Sequence, residues 1–222
     1  MRKFIFFSIV AAIAVAMTFV SCGEKKSAQN TEELLTEGFT LVTTPQGAKG
    51  IKKGDAILVI PTDTYKDITV DNGMFLAKTG DGYSLLDPET GYSVVDADAI
   101  VWKDFFFEGR RGENFIVYIP AYKTQFAAQA YAVKGAYAIA TFGGKITIWQ
   151  DGKQLIEPTG DYSKVVVLPD GKLLVLNGKA WGMATVTKDK LIQPGRAVSP
   201  KDLKKYQAMK GFDKDATVMI LE

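Results

Sequence analysis

The sequence of 222 residues predicts an all-β fold made of repeats of about 32 residues, with one short helix near the C-terminus. Three observations carry this reading. Short runs rich in Val, Ile, Thr, Phe and Tyr recur from Phe39 onward, the residue types that fit a pleated, half-buried surface. Between them stand Asn72-Gly73, Asp81-Gly82, Gly143-Gly144, Asp151-Gly152, Asp170-Gly171 and Asn177-Gly178, two-residue signals that accept positive φ at low cost and join antiparallel strands. Finally, Pro61-Thr62-Asp63-Thr64-Tyr65-Lys66-Asp67-Ile68 and Pro158-Thr159-Gly160-Asp161-Tyr162-Ser163-Lys164-Val165 share one pattern, P-T-x-x-Y-x-x-[IV], 97 residues apart, or about three units of 32.

Taken in order, the runs give strands at Phe39–Thr43, Ala56–Ile60, Met74–Lys78, Tyr83–Asp87, Ser93–Val95 and Phe115–Ile119, then at Tyr137–Thr141, Lys145–Gln150, Lys164–Leu168, Leu173–Leu176 and Gly182–Thr187. The helix is expected over 200–210. Ser199 can cap it, Pro200 fits its first turn, Asp202 suits the positive N-terminus and Gly211 ends it. Ala216–Leu221 reads as a last strand. A 32-residue unit of three strands cannot bury both of its faces alone and must stack on its neighbours.

The chain from Leu173 to Pro194, with Asn177-Gly178-Lys179-Ala180-Trp181-Gly182 and Leu191-Ile192-Gln193-Pro194, resembles the bacterial WG repeat, a Gly-Lys-Trp-Gly turn followed by a strand and an aliphatic-Pro-x-x-Tyr box. Only Trp181-Gly182 matches the dipeptide, and the likeness extends loosely over 56–198. It implies a propeller-like ring of small sheets in which the last strand could pair with the first. A single antiparallel β-sandwich or barrel is the alternative, because evenly spaced hairpins suit those folds too.

The first residues set an address. Met1-Arg2-Lys3 is basic, Phe4 to Val20 is apolar, and Ser21 is a small residue before Cys22, the layout of a secretory signal. Phe19-Val20-Ser21-Cys22 resembles the lipobox of bacterial lipoproteins, with Phe19 where Leu is usual. That likeness implies cleavage before Cys22 and lipid on its thiol, and Cys22 is the only cysteine. Acyl chains contribute about 0.8 kcal/mol per buried methylene, so two or three hold a protein at a bilayer. Gly23, in place of aspartate, implies the outer membrane by the family's sorting rule. Three segments follow: a signal at 1–21, a lipidated tether at 22–38 and one β domain at 39–222.

Composition narrows the chemistry. Losing 1–21 removes Arg2 and Lys3 and no acid, leaving 25 basic against 25 acidic side chains. A neutral chain has no field to gather phosphates, which argues against nucleic acid. The sequence contains no histidine, so the usual neutral base and the commonest transition-metal ligand are both missing. With the one thiol assigned to lipid, catalysis that needs histidine or a thiolate is excluded, and no cofactor is indicated.

The densest aromatic segment is Trp102-Lys103-Asp104-Phe105-Phe106-Phe107-Glu108-Gly109-Arg110-Arg111, where the 32-residue spacing fits worst. Trp102, Phe105, Phe106, Phe107, Arg110 and Arg111 are the candidates for partner binding, since aromatics beside arginines dominate interface hot spots. The alternative is that consecutive aromatics fill two faces of a buried strand. Asp96 and Asp98 alternate with Ala97 and form a weak candidate for a hard cation, although no twelve-residue calcium loop surrounds them. The function these features favour is an envelope-anchored, non-catalytic module for a protein or glycan partner. A carboxylate-dependent glycan hydrolase, or a structural subunit of an envelope complex, is the alternative.

Overall fold

The computed structural model describes residues 29–135, 137–159, 161–186 and 192–222. The signal at 1–21, Cys22, the tether as far as residue 28, Gly160 of the second Pro-Tyr box and Leu191 of the Trp-Gly unit lie outside the described residues. Where the sequence suggests one domain over 39–222, backbone packing divides the chain into two compact units, Met1–Ile68 and Thr69–Glu222. Among the described residues no helix is long and apolar enough to cross a membrane.

The first unit holds one antiparallel sheet of consecutive strands, β1 (Thr31–Thr36), β2 (Phe39–Thr43), β3 (Lys49–Lys53) and β4 (Ala56–Thr62). β1 lies inside the segment 22–38 that the sequence assigns to a tether. Pairing with β2 sets it as a strand: Glu33 stands opposite Leu41 and Glu32 opposite Val42, and each added ladder bond outweighs a weak local helical preference. On one face Leu41, Ile51 and Val59 align across three strands and are buried. Gly50 is irreplaceable in shape, because a Cβ there would come within 2.5 Å of the Val59 carbonyl oxygen.

The remaining strands make four sheets. These are β5 (Asp67–Asp71), β6 (Met74–Lys78), β7 (Tyr83–Leu86) and β8 (Ser93–Ala97); then β9 (Ala99–Lys103), β10 (Phe106–Arg111), β11 (Asn114–Ile119) and β12 (Thr124–Ala128). The next is β13 (Ala130–Lys134), β14 (Tyr137–Phe142), β15 (Lys145–Gln150) and β16 (Lys153–Thr159). The last is β17 (Lys164–Val167), β18 (Leu173–Asn177), β19 (Ala180–Val186) and β20 (Ile192–Ala197), joined by β21 (Val218–Ile220). The boundary between the two units falls inside β5, after Ile68. Among the described residues the fold is all-β apart from helix α1 (Pro200–Gln207) and a single turn at Pro120–Tyr122.

These four sheets begin at residues 67, 99, 130 and 164, in steps of 32, 31 and 34 residues. Each contains four sequential strands where the sequence suggests three. The hairpins form at the expected turns: Asn72 and Gly73, and likewise Asp151 and Gly152, all take positive φ. Two of the connectors between these sheets, those before β9 and before β13, are single residues with a repeated device. Asp98 N donates to Arg110 O at 2.7 Å, and Gln129 N donates to Thr141 O at 2.7 Å. Their side chains repeat the pattern, Asp98 Oδ2 accepting from Gly112 N at 2.9 Å and Gln129 Oε1 from Gly143 N at 3.1 Å. Each connector therefore caps the far hairpin of the sheet it introduces.

Successive sheets pack face to face, the layering that the sandwich alternative also has. Leu85 and Val95 meet Ile100, Phe107 and Tyr118; Phe106, Val117 and Phe126 meet Ala138 and Ala140; Ile139 and Ile148 meet Val165, Leu173 and Val175. Helix α1 starts as expected, Ser199 Oγ accepting from Asp202 N at 3.1 Å, but ends at Gln207 rather than residue 210. Its Leu203 and Tyr206, with Met209 and Phe212, cover Val166 and Leu174 of the last sheet. The final strand is shorter than expected and pairs parallel with β17, Val165 opposite Val218. Pairing with the first strand of the domain is thereby replaced by completion of the last sheet, where Lys134 Nζ and Lys164 Nζ donate to Leu221 O and Ala216 O at 3.2 and 2.7 Å.

Candidate functional site

The sequence points to 102–111, and β-strand alternation splits that segment between two faces. In the β9–β10 ladder Trp102 stands opposite Phe107. Their rings meet edge to face at 4.7 Å, turned toward the sheet of β5–β8, where Phe107 is fully buried and Trp102 half-buried. Phe106 lies on the opposite face, buried against the sheet of β13–β16, with Phe105 half-buried beside it at 5.5 Å. Phe106 and Phe107 are therefore core residues and offer no surface to a partner, which corrects that part of the expected site. The cause is that β10 lies inside a stack and has no solvent face at its start.

Arg110 and Arg111 stand at the other end of β10 and are exposed. Arg110 stacks over Phe115 across the ladder, its guanidinium carbon 5.0 Å from the ring centroid. Arg111 alternates to the other face. The six candidates thus do not converge.

Asp96 and Asp98 are both exposed and both occupied. Asp96 Oδ1 accepts from Ser84 Oγ at 2.6 Å and from Ser93 Oγ at 2.8 Å, while Asp98 holds the hairpin tip at Gly112. Among the described residues no three His, Cys, Asp or Glu side chains gather as a metal site would require. The pair shapes the end of one sheet and the start of the next.

What the structure does bring together is a polar cluster at the sheet interface. Glu108, in the middle of β10, is buried on the same face as Phe106, and Lys103 Nζ reaches it at 2.7 Å. Tyr131 of β13 donates its hydroxyl to the same carboxylate. The Tyr131 ring lies between Phe106 at 5.9 Å and Phe115 at 5.3 Å, both edge to face. Burial alone would raise the Glu108 carboxyl, but hydrogen bonds from Lys103 and Tyr131 and the charges of Lys103 and Arg110 outweigh it and hold the group below its usual range. Tyr131 moves the other way, raised by its burial and by the carboxylate it faces.

Chemically this is a latch. A general acid of the glycosidase type needs a raised pKa, and Glu108 is kept ionised with two donors already on it. Sequence reasoning passed over Glu108, Lys103, Tyr131 and Phe115 as a group. One signal was available: with period two, Glu108 shares a face with Phe106, and a carboxylate on an apolar face calls for a partner.

At the other end of these sheets, turns dock on turns. A Cβ on Gly152 would lie 2.5 Å from Tyr122 Cβ, so only glycine lets the β15–β16 turn approach the β11–β12 turn, and Thr124 Oγ1 donates to Gly152 O at 3.0 Å. Lys123 pairs with Glu89 of the β7–β8 connection at 2.6 Å.

No family model matches the chain and no curated protein matches it. Solved structures similar to it include Hsv2 of Kluyveromyces lactis, at 13% identity and TM-score 0.28, covering 72% of this chain and 63% of that one. PorZ of Porphyromonas gingivalis, an essential bacterial surface component of the type-IX secretion system in that organism, gives 10% identity and TM-score 0.26, covering 70% of this chain and 25% of that one. The extracellular domain of BT4673 from B. thetaiotaomicron gives 11% identity and TM-score 0.27, covering 74% and 30%. The chain thus spans less than two thirds of each, and likeness at this level assigns neither a detailed fold nor a function.

Proposed function

We propose that this chain is a lipoprotein of a bacterial envelope, anchored through acyl chains on Cys22, whose propeller-like succession of small sheets binds a protein or glycan partner and catalyses nothing. One observation carries the reading: the only cysteine stands directly after a basic, apolar and small-residue leader, in a sequence without histidine. The described sheets support the second half. Their one buried carboxylate of the 102–111 segment is consumed in a latch between sheets, and their aromatics are spent largely on packing. By resemblance of Gly23 to the sorting rule, the outer membrane is the destination. Exposed aromatic side chains that remain for a partner are Tyr92, Tyr122 and Phe142.

The test is the mass of the N-terminal peptide from membrane-fraction protein, alongside a Cys22→Ala variant. The reading requires a diacylglyceryl adduct on Cys22 and release of the variant into the aqueous fraction. An unmodified Cys22, or a variant still held by membranes, overturns it. Glycan hydrolysis by the purified chain that disappears on an acid-to-amide substitution would overturn the non-catalytic half.

A further inference from the structure

Three of the large apolar side chains left exposed belong to the first sheet, Leu34 at 74%, Ile57 at 49% and Ile60 at 77%. The ladder places them on one face. Leu34 stands opposite Thr40, Thr40 opposite Lys52, and Lys52 opposite Ile57, so the four form one row across all four strands. Further along β4 the register shifts between the partners of Lys49 and Ile51, where Ile60 and Pro61 together oppose Gly50. Ile60 therefore follows the inward Val59 and stands out on the side of Leu34 and Ile57. The charges on this face cancel, because Glu32 pairs with Lys52.

We propose that this face of the first sheet rests on the lipid bilayer into which the Cys22 acyl chains insert. The inference builds on the lipoprotein reading and adds an orientation to it. Its second support is the length of chain between anchor and sheet: residues 23–30 separate Cys22 from Thr31, and eight residues reach at most about 28 Å when fully extended. A sheet held that close meets the membrane without a further loss of translational freedom, so a few apolar side chains suffice to set its orientation. A face without net charge suits the interfacial zone of a bilayer better than it suits a polyanionic or acidic partner.

The experiment uses phosphatidylethanolamine and phosphatidylglycerol vesicles carrying a diazirine-acyl lipid. The naturally acylated protein is compared with the chain beginning at Cys22, coupled through that thiol to a maleimide lipid. After photolysis, labels are mapped by peptide mass. Labelling at Leu34, Ile57 and Ile60 should exceed that at the equally exposed Tyr92 and Phe142 by about five-fold or more, the ratio that ~1 kcal/mol of preference gives. It should be lost in the Leu34→Ser, Ile57→Ser, Ile60→Ser triple variant. Even labelling over the chain overturns the inference, as do chain-to-chain adducts at these positions, which would mark a second copy as the occupant. Failure of natural acylation is read separately, since the maleimide-coupled arm reports on the face whatever the cell does to Cys22.

Discussion

The two terminal sheets have the same antiparallel core of four strands and end differently. The last sheet turns Val165, Val167 and Leu173 toward its neighbour and Val166 and Leu174 the other way, and the second set lies beneath Leu203, Tyr206, Met209 and Phe212. The first sheet leaves Leu34, Ile57 and Ile60 in water on one face. A helix of eight residues decides the contrast. An apolar sheet face is stable in water when something covers it, and among the described residues the C-terminal segment supplies that cover for the last sheet.

Substitution should widen that contrast. Leu174→Ala, beneath the helix segment and fully buried, is expected to cost about 2–5 kcal/mol in chemical denaturation, as a cavity in a packed core does. If Leu174→Ala proved neutral, the helix would not be a cover. Tyr131→Phe should cost about 1.5–3 kcal/mol, because a buried carboxylate then loses a donor.

The same latch sets a pH dependence with a definite sign. Glu108 has a lowered folded pKa, so its contribution is present above the unfolded carboxylate value and is lost as pH falls through the folded one. Tyr131 has a raised folded pKa, so its contribution is present below the unfolded phenol value and is lost as pH rises through the folded one. Melting curves across acid and alkaline pH should show both limbs, and Tyr131→Phe should shrink the alkaline one without abolishing it, because burial also raises Tyr118 and Tyr162.

Ser199→Ala removes the N-cap of α1 and should cost ~1 kcal/mol, read as loosening of the last sheet. The smallest effect belongs to the uncovered face. Leu34→Ser and Ile60→Ser in soluble protein should change stability by less than about 0.5 kcal/mol, the range of surface substitutions. A larger loss at Leu34 or Ile60 would mean that the face is already covered.

Legibility in the sequence follows position within a sheet. The central strands β6, β7, β14, β15 and β18 are apolar runs flanked by Gly-bearing turns, and their expected and observed spans nearly coincide. Most outer strands have no counterpart among the expected runs: β1 is Thr31-Glu32-Glu33-Leu34-Leu35-Thr36, and β12 is Thr124-Gln125-Phe126-Ala127-Ala128. Such strands have one neighbour strand and a solvent side, so their sequences carry polar residues without losing the ladder. β10 was missed for another reason. It contains a buried glutamate and a glycine whose Cβ would lie 2.8 Å from Val95 Cγ1, features that look like a loop until the neighbouring sheet is present. The turn before it, at Asp104 with positive φ, lacks a glycine signal as well. Phe106 and Phe107 follow the alternative reading of that segment, consecutive aromatics filling the two faces of a buried strand, as alternation requires.

The orientation of the first sheet is tested most directly by amide hydrogen exchange of the anchored protein, with and without vesicles. The account predicts slowed exchange in Thr31–Thr36 and Ala56–Thr62 on vesicles, and unchanged exchange in Pro200–Gln207. Unchanged exchange in β1 and β4, or slowing that appears at α1 instead, would contradict it.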